Sequence, residues 1–247
     1  MKKLTVGLFA GLLLPLCASA DLLGFHMGGG IWQKSYAGDV RTDLINIDLE
    51  NDFGVQEGKD FVLHAAFEHP LPGIPNIRVQ YVPIVIDDDT ALTRDITFGG
   101  IVFPATTPIS TDIDLQQFDA TLYWEVLDNI VSLDVGLTVR YVDGSIEVAS
   151  LVTNVAQDFV GPVPMLYGAA RFDLPVNDIY VRANLNGTAY AGNSLLDGEV
   201  AVGWDSPLWV GVEVGYRTYL LTLDNVDDFA NVEIDVSGFF ASVTAHF

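Results

Sequence analysis

The stretch VSLDVGLTVRY, residues 131–141, alternates apolar and polar residues without interruption. Val131, Leu133, Val135, Leu137, Val139 and Tyr141 fall on one face of an extended strand; Ser132, Asp134, Gly136, Thr138 and Arg140 fall on the other. Side chains of a strand point alternately to its two faces, so one face meets an apolar medium and the other a polar one. Eleven such residues match the length a tilted strand needs to cross a bilayer. They are also about twice the usual strand of a soluble protein.

The pattern recurs along the chain and predicts ten strands. The first covers 22–36, the second 59–68 and the third 74–86. The fourth sets Phe118, Ala120, Leu122 and Trp124 against Gln117, Asp119, Thr121, Tyr123 and Glu125, and 131–141 is the fifth. The sixth carries Leu166, Gly168, Ala170 and Phe172 outward, and the seventh Ile179, Val181, Ala183 and Leu185. The eighth (195–204) and ninth (208–217) follow, and the last ends at Phe247. Short turns at 69–73, 127–129, 175–178 and 205–207 alternate with longer connections expected at 37–58, 87–110, 143–161 and 223–230. Long–short alternation marks an up-and-down transmembrane β-barrel. The expected fold is therefore all-β, an antiparallel barrel with both termini on one side. Gly28-Gly29-Gly30 in the first strand and Pro83 in the third weaken that pair, and losing it would leave eight strands.

Residues 1–20 read as a cleaved signal peptide and 21–247 as the barrel. Lys2 and Lys3 precede an apolar core, and Ala18-Ser19-Ala20 is a small-residue cleavage site. Leu16 before Cys17 argues against lipidation. Cleavage removes the sole cysteine, so no disulfide or thiolate ligand is expected. Of 11 basic residues against 33 acidic ones, it also removes two, which argues against nucleic acid as a partner. Mean hydropathy is nevertheless +0.34. A barrel reconciles acidity with hydropathy, because apolar side chains face lipid while charge occupies loops and lumen.

A secreted soluble β-sandwich is the competing architecture. Strand length argues against it, as do Tyr123, Trp124, Tyr141, Tyr167, Tyr190, Trp204, Trp209, Tyr216 and Phe247, most of which fall near strand ends as interfacial girdles do. The final strand places Phe239, Ala241, Val243, Ala245 and Phe247 on one face. In this the chain resembles small Gram-negative outer-membrane barrels of OmpA-like or OmpW-like architecture. That resemblance implies an outer-membrane location with periplasmic termini, contact with lipid and lipopolysaccharide, and passage through periplasmic chaperones and the barrel-assembly machinery, with Phe247 as the assembly signal. It brings no catalytic motif.

Alternation assigns Asp119, Glu125, Asp134, Arg140, Arg171, Asp173, Arg182, Glu199, Glu213 and Arg217 to the lumen. In a barrel of this size they are expected to pair as a structural network, since a buried charge needs a partner. A narrow cation-preferring pore is the alternative, because the acids outnumber the bases. Asp39, Asp43, Asp48, Glu50, Asp52 and Glu57 crowd the first loop, Asp87-Asp88-Asp89 the second, and Asp224, Asp227 and Asp228 the last. Asp87, Asp88 and Asp89 are the candidate divalent-cation site, though no EF-hand spacing is present. His26, His64, His69 and His246 form no metal pair, and no Gly-x-Ser-x-Gly elbow or phosphate loop occurs. The expectation is a non-enzymatic barrel without a cofactor, acting in envelope integrity or surface interaction. A lipid-modifying enzyme is the remaining alternative.

Overall fold

The computed structural model describes residues 23–41, 46–48, 52, 57–98, 101–175, 178–226 and 229–247. The signal segment and its cleavage site, Asp43, Glu50, Asp227 and Asp228 lie outside them.

Ten antiparallel strands close into a barrel. In chain order the strands are β1 (Gly24–Arg41), β2 (Asn46–Asp48), β3 (Glu57–Glu68), β4 (Asn76–Tyr81), β5 (Ile84–Ala91), β6 (Ile96–Phe98), β7 (Ile101–Phe103) and β8 (Pro108–Asp128), followed by β9 (Val131–Ser150), β10 (Asn154–Asp173), β11 (Ile179–Tyr190), β12 (Asn193–Asp205), β13 (Val210–Val226) and β14 (Phe229–His246). β4 and β5 together make one wall strand, broken at Val82-Pro83, and both pair with β8. β2 is a short addition to β1, while β6 and β7 pair only with each other. β1 pairs with β14 and closes the wall. That ladder skips Gln33 and Lys34, where the Gln33 carbonyl lies so close to Gly238 that a Cβ there would sit 1.8 Å from its oxygen. Only glycine permits that approach.

The alternation of 131–141 is realised as wall geometry. Leu133, Val135, Leu137, Val139 and Tyr141 are exposed on the outer surface, while Thr138 and Arg140 are buried within. The same outward row recurs as Val200, Val202 and Trp204 on β12 and Val212, Val214 and Tyr216 on β13. This belt is the lipid-facing surface of the fold.

Three expectations need correction. First, the far-end connections are shorter and the strands longer than the pattern suggested. β9 runs to Ser150 and β10 starts at Asn154, so most of 143–161 is strand. Ser150 N–H donates to the Thr153 carbonyl (2.7 Å), and the Ser150 hydroxyl oxygen accepts from Thr153 N–H (3.2 Å), which closes the turn. Likewise β11 and β12 meet at Ala191-Gly192, both with positive φ (51° and 91°), as a two-residue hairpin turn requires. Second, Asp87, Asp88 and Asp89 sit on β5, not in a loop, with Asp87 opposite Asp112 on β8. Asp87 and Asp89 are exposed while Asp88 lies on the other face, so the pleat separates the three carboxylates.

Third, Tyr123 and Tyr167 are interior residues, because their parity matches the lumen set and not the lipid-facing row. Trp209 departs from its own parity: a positive φ of 63° ends the turn before β13 and swings its ring outward, 6.4 Å from that of Phe247.

Candidate functional site

The barrel interior has three tiers, and they differ in chemistry. Nearest the termini is a cavity of about 590 Å3. Its walls include His26, Glu68, Arg78, Glu125, Asp134 and Tyr167. Tyr123 O–H donates to Glu68 (2.6 Å), and Asn76 donates to Glu125 (2.8 Å). One Asp134 carboxylate oxygen is buried without a hydrogen-bond partner among the described residues. At the rim, Arg171 bridges Asp173 (2.9 Å) and Asp205 (2.8 Å) and stacks 3.6 Å over the Tyr180 ring. His69 holds the adjacent turn, accepting from Leu71 N–H at Nδ1 (3.3 Å) and lying 3.2 Å from the Pro75 carbonyl at Nε2.

Above this cavity the lumen is crossed by a continuous chain of ion pairs. Arg182 (β11) binds Glu213 (β13) through two parallel bonds of 2.7 and 2.6 Å and also donates to Glu199 (β12). Arg217 grips Asp197 at 2.9 and 2.6 Å and lies 3.7 Å from Glu199. Arg140 on β9 grips Asp119 through two bonds of 2.7 Å, donates to Gln117 at 3.1 Å, and reaches Asp197 on β12. Strands β10 and β11 separate β9 from β12 along the wall, so the Arg140–Asp197 bond spans the lumen. The Arg217 guanidinium lies 5.3 Å from the Trp32 ring, which extends the barrier to β1. Beside this layer, the free space around Trp32, His64, Glu199 and Phe240 is about 20 Å3, room for about one water.

The third tier, toward the far end, is apolar. Tyr36, Ile84, Ile86, Ile109, Val148 and Val236 point inward and are buried. Leu92, Ile96 and Phe103, from the segment carrying β6 and β7, join them in one cluster. The segment thus plugs the barrel with its own hydrophobic side chains. It is tied to the first far-end connection by Arg94, which donates to both carboxylate oxygens of Asp52 (3.0 Å from Nε). The Arg94 guanidinium draws the Asp52 carboxyl below its ordinary pKa, and Asp52 raises that of Arg94.

All ten lumen residues named from the sequence therefore lie on interior-facing positions, but they divide. Asp119, Arg140, Arg182, Glu199, Glu213 and Arg217 belong to the central chain of pairs. Arg171 and Asp173 form a separate rim pair, and Glu125 and Asp134 contact no arginine among the described residues. Asp197, the carboxylate shared by two arginines, was missed although it has the parity of Glu199. Lys34 was missed too. It is fully buried and paired with Asp60, which also accepts from Val85 N–H (3.0 Å), so the pair stitches the break at Val82-Pro83. Among the described residues no three His, Cys, Asp or Glu side chains gather as a metal site.

No protein-family model matches the chain, and no curated protein matches it. Solved structures do. The outer-membrane protease OmpT of Escherichia coli aligns over 94% of this chain and 99% of its own at 12% identity, with a TM-score of 0.51. The translocator domain of the autotransporter NalP of Neisseria meningitidis covers 91% and 88% at 8% identity (TM-score 0.48). Ail, the attachment invasion locus protein of Yersinia pestis, covers 91% and 98% at 10% identity (TM-score 0.36). The fold is that of the Gram-negative outer-membrane β-barrels.

Proposed function

We propose that this chain is a sealed, non-enzymatic barrel of the Gram-negative outer membrane that acts through its outer surface and not through its lumen. Its termini and open cavity then face the periplasm, and the far end, with its long strands, faces outside. The carrying observation is the double closure of the interior. A lumen-spanning series of arginine–carboxylate pairs, with about 20 Å3 of free space beside it, lies under an apolar plug among the described residues. A pore instead needs a wetted passage lined by its selective groups, and the carboxylates of the central layer, Asp119, Asp197, Glu199 and Glu213, are already engaged by arginine.

Conductance of the refolded chain in a planar bilayer tests this, with a heat-shifted gel band as the folding control. The native protein is expected to be silent, and so is Ile96→Asp, which unseats the plug yet leaves the ion-pair layer intact. Regular cation-selective steps from the native protein, abolished by Glu199→Gln, would replace the surface reading with the channel reading.

A further inference from the structure

The wall does not end level. β10 pairs with β9 along its whole length, but with β11 only from Leu166 to Asp173. Its first twelve residues, 154–165, have a neighbour on one side alone among the described residues. β11 and β12 turn back at Ala191-Gly192, so by that register neither continues beside 154–160. Together with the upper parts of β5, β8 and β9, β10 forms a four-stranded paddle that projects past the apolar belt, whose outer boundary on β9 is Tyr141. From Asn154 to Pro162, opposite Tyr141, the free edge extends roughly 25 Å.

The prolines give the direction of that edge. Pro162 and Pro164 sit in register opposite Tyr141 and Val139. A proline fits a paired strand only with its nitrogen on the unpaired side. By period two, residues 154, 156, 158 and 160 also turn their N–H and C=O groups away from β9. The two prolines delete donors where the edge enters the belt, where an unpaired N–H would cost several kcal/mol. Beyond the belt the donors return, and Asn154, Ala156, Asp158 and Val160 present a strand's full set of backbone groups.

Charge identifies the partner. Asp87, Asp89, Asp112, Asp114, Asp143, Glu147 and Asp158 fall on the outer face of the paddle, and its segments 84–91, 108–117, 142–150 and 154–162 contain no lysine or arginine. Asp87, Asp112 and Glu147 are aligned directly across three strands, where like charges oppose each other. A second copy would bring the same acidic edge and be repelled.

We infer that the free edge of β10 takes an extended basic polypeptide segment as an added strand. Main-chain bonds to residues 154–160 would supply affinity, and alternate lysines or arginines lying over the acidic face would supply selectivity. The inference deepens the surface reading and rests on it only for which side of the membrane the edge faces.

The probe is a labelled eight-residue peptide alternating lysine and threonine, titrated by fluorescence anisotropy against the full refolded chain. A second peptide carries N-methyl groups on alternate amides, which keeps the charge and removes the donors. Binding of the first, at least tenfold weaker for the second, is expected. Ala156→Pro/Val160→Pro extends the existing proline pattern on the unpaired side and is expected to weaken binding at least tenfold while the heat-shifted band persists. On the native protein, bound peptide slows hydrogen exchange at residues 156, 158 and 160. Equal binding of both peptides, binding unchanged in the proline variant, unchanged exchange, or no binding at low salt overturns the inference. Labelling of Val152→Cys on whole cells by an impermeant maleimide tests orientation separately; protection there would refute the surface reading and leave the strand-addition result standing.

Discussion

Replacing Arg140 by methionine removes every donor from the centre of the lumen while keeping much of the side-chain volume. Arg140 has no solvent exposure, and its guanidinium is the one cation bonded to Asp119 among the described residues. Asp197 keeps its two-bond grip from Arg217, so the loss falls mainly on Asp119. Removing one partner of a buried pair costs about 3–5 kcal/mol, because the other charge stays buried and uncompensated. Removing both partners in favour of apolar groups is often close to neutral. Arg140→Met is therefore expected to lose about 3–5 kcal/mol, and Arg140→Met/Asp119→Leu to regain about half of it. The residual loss reflects the charge-assisted bond that Asp197 no longer receives, about 1.5–3 kcal/mol. Urea titration of the refolded chain in lipid vesicles, followed by tryptophan fluorescence, measures both. A single variant within about 1 kcal/mol of native, or a double variant no better than the single, would refute the claim that this layer is desolvated.

Two further tests address the interior glycines and the plug. A Cβ on Gly203 would lie 2.2 Å from the Tyr180 ring, so Gly203→Ala is expected to displace that ring from Glu213 and cost about 1–3 kcal/mol by overpacking; urea titration checks the loss, and a change under 0.5 kcal/mol would mean that the ring moves freely. The Asp52–Arg94 pair predicts a pH effect. Because the folded pKa of Asp52 is depressed, its contribution is present above the unfolded carboxylate value, near 4, and is lost as pH falls through the lower folded value. Hydrogen exchange in the 92–107 segment is accordingly expected to accelerate only in acid, and Asp52→Asn to abolish that dependence; an identical pH profile in the variant would sever the pair from the plug.

Period-two alternation made the wall legible, because it states which medium each side chain meets. Arg140, Arg182, Glu199 and Glu213 could be assigned inward without coordinates for that reason. The same rule placed Tyr123 and Tyr167 inside, and reading them as girdle residues from their position along the strand set parity aside. Alternation carries no information on where a strand stops once both faces are wet. Asp87-Asp88-Asp89 and residues 143–161 read as loop because neither face is lipid there, yet both are pleated wall. The plug was hidden for a different reason. Leu92, Ile96 and Phe103 lie in a connection with no helical or strand period long enough to stand out, and their burial depends in part on Val148 and Val236, which are distant in sequence. Lys34 was obscured by the three glycines ahead of it, which made β1 look weak, although Trp32, Lys34 and Tyr36 share one buried parity.

The acidity of the chain and the pairing in its lumen have a common cause. Basic residues are scarce, 11 against 33 acidic, and six of them, Lys34, Arg78, Arg140, Arg171, Arg182 and Arg217, point into the barrel. A buried carboxylate is costly unless a cation and hydrogen-bond donors compensate it, and the interior holds these bases, with Arg140, Arg182 and Arg217 each touching two carboxylates. What remains for the paddle is acid alone. Water and salt screen those exposed carboxylates at little cost, which is why the imbalance collects there and not in the lumen. A partner that docks on the paddle would then bring its own positive charge, because six of this protein's bases lie inside the barrel.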